Sequence, residues 1–97
     1  MKLNEEVKDM FGNLIQEGDY IAYPGRQGSD LFVRIGKVHK LASRTLYGGL
    51  QKQHVLKVTT CYPNGELKPT TISEFHRATI LPKSYVQNSK YHLLLDI

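Results

Sequence analysis

Eight glycines divide this chain into short runs, and the runs between them are rich in Val, Ile, Thr and Tyr. That spacing constrains the fold more than any other feature. Short β-forming runs separated by turn residues build a sheet or small barrel, whereas a helical bundle needs longer uninterrupted periods. Asp9-Met-Phe-Gly-Asn13 reads as a turn, because Asp and Asn bond nearby backbone and Gly12 accepts positive φ. Leu14-Ile15 is a brief strand, and Glu17-Gly18-Asp19 a second turn. Tyr20–Pro24 is β-forming, with Pro24 expected to end the strand or place it at a sheet edge. Gly25–Asp30 is expected to be a loop.

Leu31, Val33 and Ile35 alternate with Phe32 and Arg34, which is a strand signature. Beyond Gly36 the apolar phase shifts to Val38 and Leu41, so a β-bulge is expected at Gly36. Ser43–Gln53 is polar around Gly48-Gly49 and reads as an exposed loop or loosened hairpin. His54–Tyr62 alternates again, and Asn64-Gly65 supplies the positive φ values of a tight hairpin. Leu67–Ile72 returns as a strand weakened by Pro69, and Arg77–Pro82 holds a last short apolar run. At the start, Leu3, Val7 and Met10 or Phe11 fit one face of a short helix, with an extended lead-in as the alternative. At the end, Tyr91, Leu93, Leu95 and Ile97 alternate with their neighbours, so a strand is expected there ahead of a helix.

With 97 residues there is room for one domain, residues 1–97, around one modest core. A hydrophobic fraction of 40% against 23% charged residues suits a folded chain rather than a disordered one. A single cysteine, Cys61, forms no internal disulfide. No apolar run approaches the length of a membrane span, and the acidic start is unlike a signal peptide. A cytoplasmic location and no membrane partner are the expectation.

The charge pattern is the strongest pointer to function. Between Leu31 and Gly65 lie Arg34, Lys37, Lys40, Arg44, Lys52 and Lys57, with no Asp or Glu. The preceding segment is acid-rich, while the whole chain carries a formal charge of +4. An acid-free face attracts polyanions, of which nucleic acid is the commonest in a cell. If the strands from Leu31 and His54 are neighbours, these six cations form a stripe that binds phosphates. Tyr23, with Arg26 and Gln27 in the Gly25–Asp30 loop, adds candidates for stacking and groove contact. Arg34 is expected to project away from the core defined by Val33 and Ile35, and the direction of Lys40 depends on the bulge.

Catalytic chemistry has no comparable support. His39, His54, His76 and His92 are isolated from one another and lack metal-ligand spacing. Cys61 has no local nucleophile signature, and Gly25-Arg-Gln-Gly28 is too short for a phosphate-cradling loop ahead of a helix. The expectation is a protein without enzymatic activity, metal or cofactor.

The run Gly18-Asp19 through Ile21, with Gly36 and Val38 in the next strand, resembles the front half of KOW and related SH3-like small barrels. Thr79–Pro82 resembles their closing strand. The pattern Asp9, Gly12, Ile15, Gly18-Asp19 and Tyr23 is similar to small basic proteins of tailed bacteriophages. This resemblance implies a mainly β, SH3-like or KOW-like, partly open barrel of about five short strands. It also implies nucleic-acid binding, DNA ahead of RNA, that modulates host transcription or nucleoid structure. The alternatives are a module that captures a host protein, working as monomer or homodimer, and a sponge for a small anionic nucleotide.

Overall fold

The computed structural model describes residues 7–27 and 30–97. Five strands form one antiparallel sheet: β1 (Tyr20–Gln27), β2 (Asp30–Leu46), β3 (Gln51–Cys61), β4 (Leu67–Ile72) and β5 (Thr79–Leu81). Their order across the sheet is β4-β3-β2-β1-β5, a four-strand meander with the fifth strand returned beside the first. The chain is therefore mainly β, and its sheet makes a small, partly open barrel with β4 and β5 at the two edges. Not all strands are short as expected, since β2 has 17 residues and β3 has 11.

Strand β2 pairs with β1 from Asp30 to Lys37 and with β3 from Ile35 to Leu46. The register breaks between Val38 and Lys40, so the bulge lies at His39 and not at Gly36. Gly36 pairs regularly with Thr60, and its glycine answers a different demand. A Cβ there would overlap Val58 Cγ1 and lie 2.9 Å from the Thr59 carbonyl oxygen, so only glycine lets β3 approach this closely.

One sheet face carries Ile21, Tyr23, Val38, Leu56, Val58 and Ile72, closed over by Val7, Ile15 and Ala78. The other carries Tyr20, Ile35 and Cys61, which pack with Val86 and Leu94. Those last two belong to a short helix α1 (Lys83–Gln87) and a 3-10 turn (His92–Asp96). The expected C-terminal strand is thus absent. Burying Val86 and Leu94 stabilises by about 1.5–3 kcal/mol each, which anchors two pieces too short to be stable alone.

Other expectations also change. Val7 to Ile15 is a narrow hairpin bridged at Lys8 and Leu14, not a helix, while Leu3 lies outside the described residues. β1 runs through Pro24 to Gln27 and β2 begins at Asp30, so Gly25–Gln27 and Asp30, expected in a loop, are strand, while Gly28 and Ser29 lie outside the described residues. Pro24 is tolerated because β5 pairs with β1 only at Tyr20–Ala22, which leaves that edge open. At the Asn64-Gly65 turn only Gly65 has positive φ, and Asn64 instead accepts the Glu66 N–H at 3.0 Å.

Asp9 locks the amino-terminal hairpin to β5. Its Oδ1 accepts the N–H groups of Phe11 (2.9 Å) and Asn13 (2.8 Å), and its Oδ2 accepts that of Ile80 (3.1 Å). The residue is only 5% exposed. Burial opposes ionisation, but the three backbone donors outweigh it and hold the carboxyl below its ordinary value of 3.8. The folded state thus gains stability above that value and loses it as the pH falls further. Asp9→Ala is expected to cost about 2–3 kcal/mol at neutral pH, since it orphans three donors, and to cost less near pH 2. Urea unfolding at both pH values checks this.

Candidate nucleic-acid interface

Beyond Leu41 and Leu56 the sheet loses its neighbours. β1 has ended its pairing with β2 at Lys37, and β4 pairs with β3 only over Leu56–Cys61. Ala42–Leu46 and Gln51–Val55 therefore continue as a two-stranded ribbon, about 17 Å long at ~3.3 Å per residue. The segment expected as a loop or loosened hairpin is regular strand. Its polarity has a simple cause, because only its base, at Val55, is buried, and beyond that no alternation is required. A 3-10 turn at Tyr47–Gly49 closes the ribbon, with Tyr47 73% and Leu50 77% exposed at the tip.

The basic residues divide among three places. Lys40, Lys57 and Arg44 are exposed and share one face, by the pairings Lys40 with Lys57 and Arg44 with Gln53. Arg44 Nε donates to Gln53 Oε1 at 2.9 Å, and Lys57 Nζ donates to Thr71 at 3.0 Å. Lys52, paired with Thr45, is exposed on the opposite ribbon face. Lys37 is half-buried near the C-terminal segment, where it donates to the Ile97 carbonyl and lies 5.9 Å from the Tyr20 ring. It is engaged locally instead of extending the stripe.

Arg34 stands on the opposite sheet face from Lys37, half-buried beside Phe32 and Tyr62. It does point away from Val33 and Ile35, but the face it points to has its own core. Tyr23, expected to stack on nucleic acid from beside the Gly25–Asp30 segment, is instead buried there at 8% exposure. Its hydroxyl is hydrogen-bonded with Thr60, which donates to Thr70 at 3.2 Å. Burial raises the Tyr23 hydroxyl pKa above its ordinary 10.0, against the lowering effect of Thr60. Arg26 and Gln27 occupy the last two positions of β1, and their side chains fall outside those described.

The expected single stripe thus resolves into a ribbon charged on both faces (Arg44 on one, Lys52 on the other), the Lys40–Lys57 pair at its base on the Arg44 face, and a separate Arg34. The bulge at His39 is what sets Lys40 on the Lys37 face, opposite Val38. Sequence reading missed the apolar ribbon tip at Leu50, and it missed Lys68, whose Nζ lies 5.2 Å from the Tyr62 ring. The signal for the tip was available in Tyr47-Gly-Gly-Leu50, two large apolar residues around a glycine turn inside a polar run. Among the described residues no group of three His, Cys, Asp or Glu side chains could hold a metal, and no helix is long and apolar enough to cross a membrane. Burial pushes the Cys61 thiol pKa up, which works against a thiolate nucleophile.

Compared with protein-family models, curated proteins and solved structures, the chain has no significant match.

Because Tyr23 serves the core, Tyr23→Phe is expected to cost about 1 kcal/mol through the lost hydrogen bond. With a raised pKa in the fold, the wild type loses stability as the pH climbs past 10.0, the unfolded value. Thermal melts at pH 8 and pH 11 are expected to show a smaller alkaline loss in the Phe variant.

Proposed function

We propose that this protein binds DNA without catalysing a reaction, and that the β2–β3 ribbon, together with the Lys40–Lys57 pair at its base, is its binding element. One observation carries the reading: Lys40 and Lys57 face each other across the ladder with no carboxylate between Leu31 and Gly65 to offset them. Like charges directly opposed on a sheet are destabilising. A phosphate backbone seated on that face turns the repulsion into attraction.

The ribbon's shape supports the same reading. The major groove of B-DNA admits a two-stranded β-ribbon, and a ribbon in a groove has a phosphate wall on either side. Cations on both faces, Arg44 on one and Lys52 on the other, with Lys40 and Lys57 at the base on the Arg44 face, suit that placement better than a flat stripe would. Such contacts hold the backbone and confer little sequence preference. At the tip, Tyr47 and Leu50 supply apolar surface for contact among the bases. The resemblance of the amino-terminal half to small basic phage proteins supports a role on host transcription or nucleoid structure.

The alternative of a host-protein module finds support in a shallow cleft lined by Met10, Ala22, Pro24, Val33 and Thr79, beside the open edge of β1. Its occupant would be a peptide laid along that edge. Ribbon substitutions would leave such binding intact, which separates the two readings.

Lys40→Gln and Lys57→Gln are expected to leave thermal stability unchanged or raise it by a few tenths of a kcal/mol, because each removes the like-charge pair. Each is expected to weaken duplex binding and to lower the slope of log affinity against log salt by about one. Gel-shift titrations at several salt concentrations, paired with melts, read both. Full duplex affinity in the double variant would refute the ribbon as the binding element.

A further inference from the structure

Arg34 is a poor match for the lysines it was grouped with. Its guanidinium carbon lies 3.9 Å from the Phe32 ring centre and 4.2 Å from that of Tyr62. Both contacts are well inside the ~6 Å reach of a cation–π interaction. The register explains how the stack is assembled. Phe32 and Arg34 are two residues apart on one strand face, and the pairing of Ile35 with Cys61 carries Tyr62 alongside Arg34.

The stack is built into the sheet. Gly25 pairs with Phe32, and a Cβ at Gly25 would overlap the Phe32 ring and sit 3.0 Å from Arg34 Cγ. Glycine at that position leaves room for the ring across the β1 backbone and for the arginine stem beside it. Tyr62 in turn is anchored in the β3–β4 turn, where its N–H donates to the Glu66 carbonyl at 2.8 Å.

What the stack leaves unused is the guanidinium's hydrogen-bonding edge. No carboxylate pairs with Arg34 among the described residues, and none of its N–H groups has an acceptor there. Stacking fixes the plane of a guanidinium and leaves its fork of donors preset in the geometry that a phosphate accepts in bidentate fashion. Lys68 brings a second cation to the Tyr62 ring, partly offset by Glu66 at 3.6 Å from its Nζ.

We propose that the Phe32–Arg34–Tyr62 stack, with Lys68 beside it, is a phosphate-binding site distinct from the ribbon. It takes an oxygen-rich phosphate group edge-on through Arg34. The group can be a free or terminal phosphate or a phosphodiester of a nucleic acid strand, since the fork reads the same oxygens in both. The site stands on the Arg34 geometry alone and does not depend on the ribbon binding DNA.

The test follows the Arg34 side-chain Nε–H signal by two-dimensional NMR while inorganic phosphate, dimethyl phosphate or acetate is added at constant ionic strength. The expected result is a saturable shift at Arg34 with a phosphate, weaker or absent with acetate. A preference for inorganic phosphate names a terminal or free group as the ligand, and an equal response to dimethyl phosphate names the diester. Arg34→Lys keeps the charge but loses the fork and the stack, and is expected to weaken phosphate affinity by about tenfold. In that variant the Lys68 ammonium and Tyr62 ring signals report binding. Lys83→Gln, the same loss of charge at an exposed residue outside both sites, is expected to leave phosphate affinity unchanged, which separates local binding at Arg34 from a general effect of net charge. An Arg34 signal that stays put in the wild type, or an Arg34→Lys variant that binds phosphate as tightly, overturns the proposal. The wild-type titration decides the matter even if the variant fails to fold.

Discussion

The structure turns on one irregularity in one strand. β2 belongs to two halves of the sheet at once, pairing with β1 through its first part and with β3 through its second, and overlapping both only at Ile35–Lys37. Immediately past that overlap the bulge at His39 inserts one residue. A bulge bends a strand and sharpens its twist, which is how a short sheet curls into a barrel. It also inverts the side-chain parity. Val38 keeps its place in the core at 0% exposure, and Lys40 is swung to the opposite face, across from Lys57. Were β2 paired in unbroken register, His39 would stand across from Lys57 and Lys40 would fall on the core side with Val38. The same residue count that closes the barrel therefore charges the ribbon.

The sheet was legible in the sequence because its signals are local. Asp9–Asn13 turned where an Asx turn was expected, β4 and β5 and the centres of β1 and β3 lie where alternation and β-branched residues put them, and β1 and β3 extend past these into segments read as loops. A phase shift revealed the bulge, but glycine drew it to Gly36, whose absent Cβ answers to the approach of β3. Interstrand distance is a tertiary quantity and leaves no local trace. The C-terminal segment failed for a related reason. Tyr91 to Ile97 alternates well enough for a strand, yet its inward set is Tyr91, Leu94 and Leu95, at helical spacing onto Ile35 and Cys61. A sheet apolar on both faces needs a second cover, and Ile35 flanked by Val33 and Cys61 on the outer face was the available hint. Of the candidate site, the residue types and their acid-free run were readable, whereas their division between faces required the register.

The ribbon and the barrel hold together by different means. The barrel buries two apolar clusters and ties its open end with Asp9, so its strands are fixed by packing and by buried hydrogen bonds. Past Leu41 the ribbon has two open edges and, beyond the buried Val55 at its base, only its own ladder, with the Arg44–Gln53 hydrogen bond across it. Two strands without a packed face are marginal in isolation. Local opening is therefore concentrated at the tip, where Tyr47 adopts a left-handed φ of 53° between Leu46 and Gly48. Exposed cations on such an element cost little in the folded state. They are placed where the chain is most able to adjust to a surface it meets.

Lysine and arginine divide this labour by chemistry. On the ribbon and at its base, Lys52, Lys40 and Lys57 are hydrated point charges on long stems, suited to following a phosphate backbone whose exact position varies. Attraction of such charges to a phosphate backbone, as proposed, is strong at low ionic strength and falls as salt is added, because it derives from released counterions. Arg34 has surrendered that freedom. Held between Phe32 and Tyr62, it has already lost the rotamer entropy that binding would otherwise cost, and its half-burial weakens screening. A contact made there is more directional and less sensitive to salt than one made by the ribbon. The acid-free run thus encodes two kinds of positive charge, and the sheet separates them by sending neighbouring residues of β2 to opposite faces.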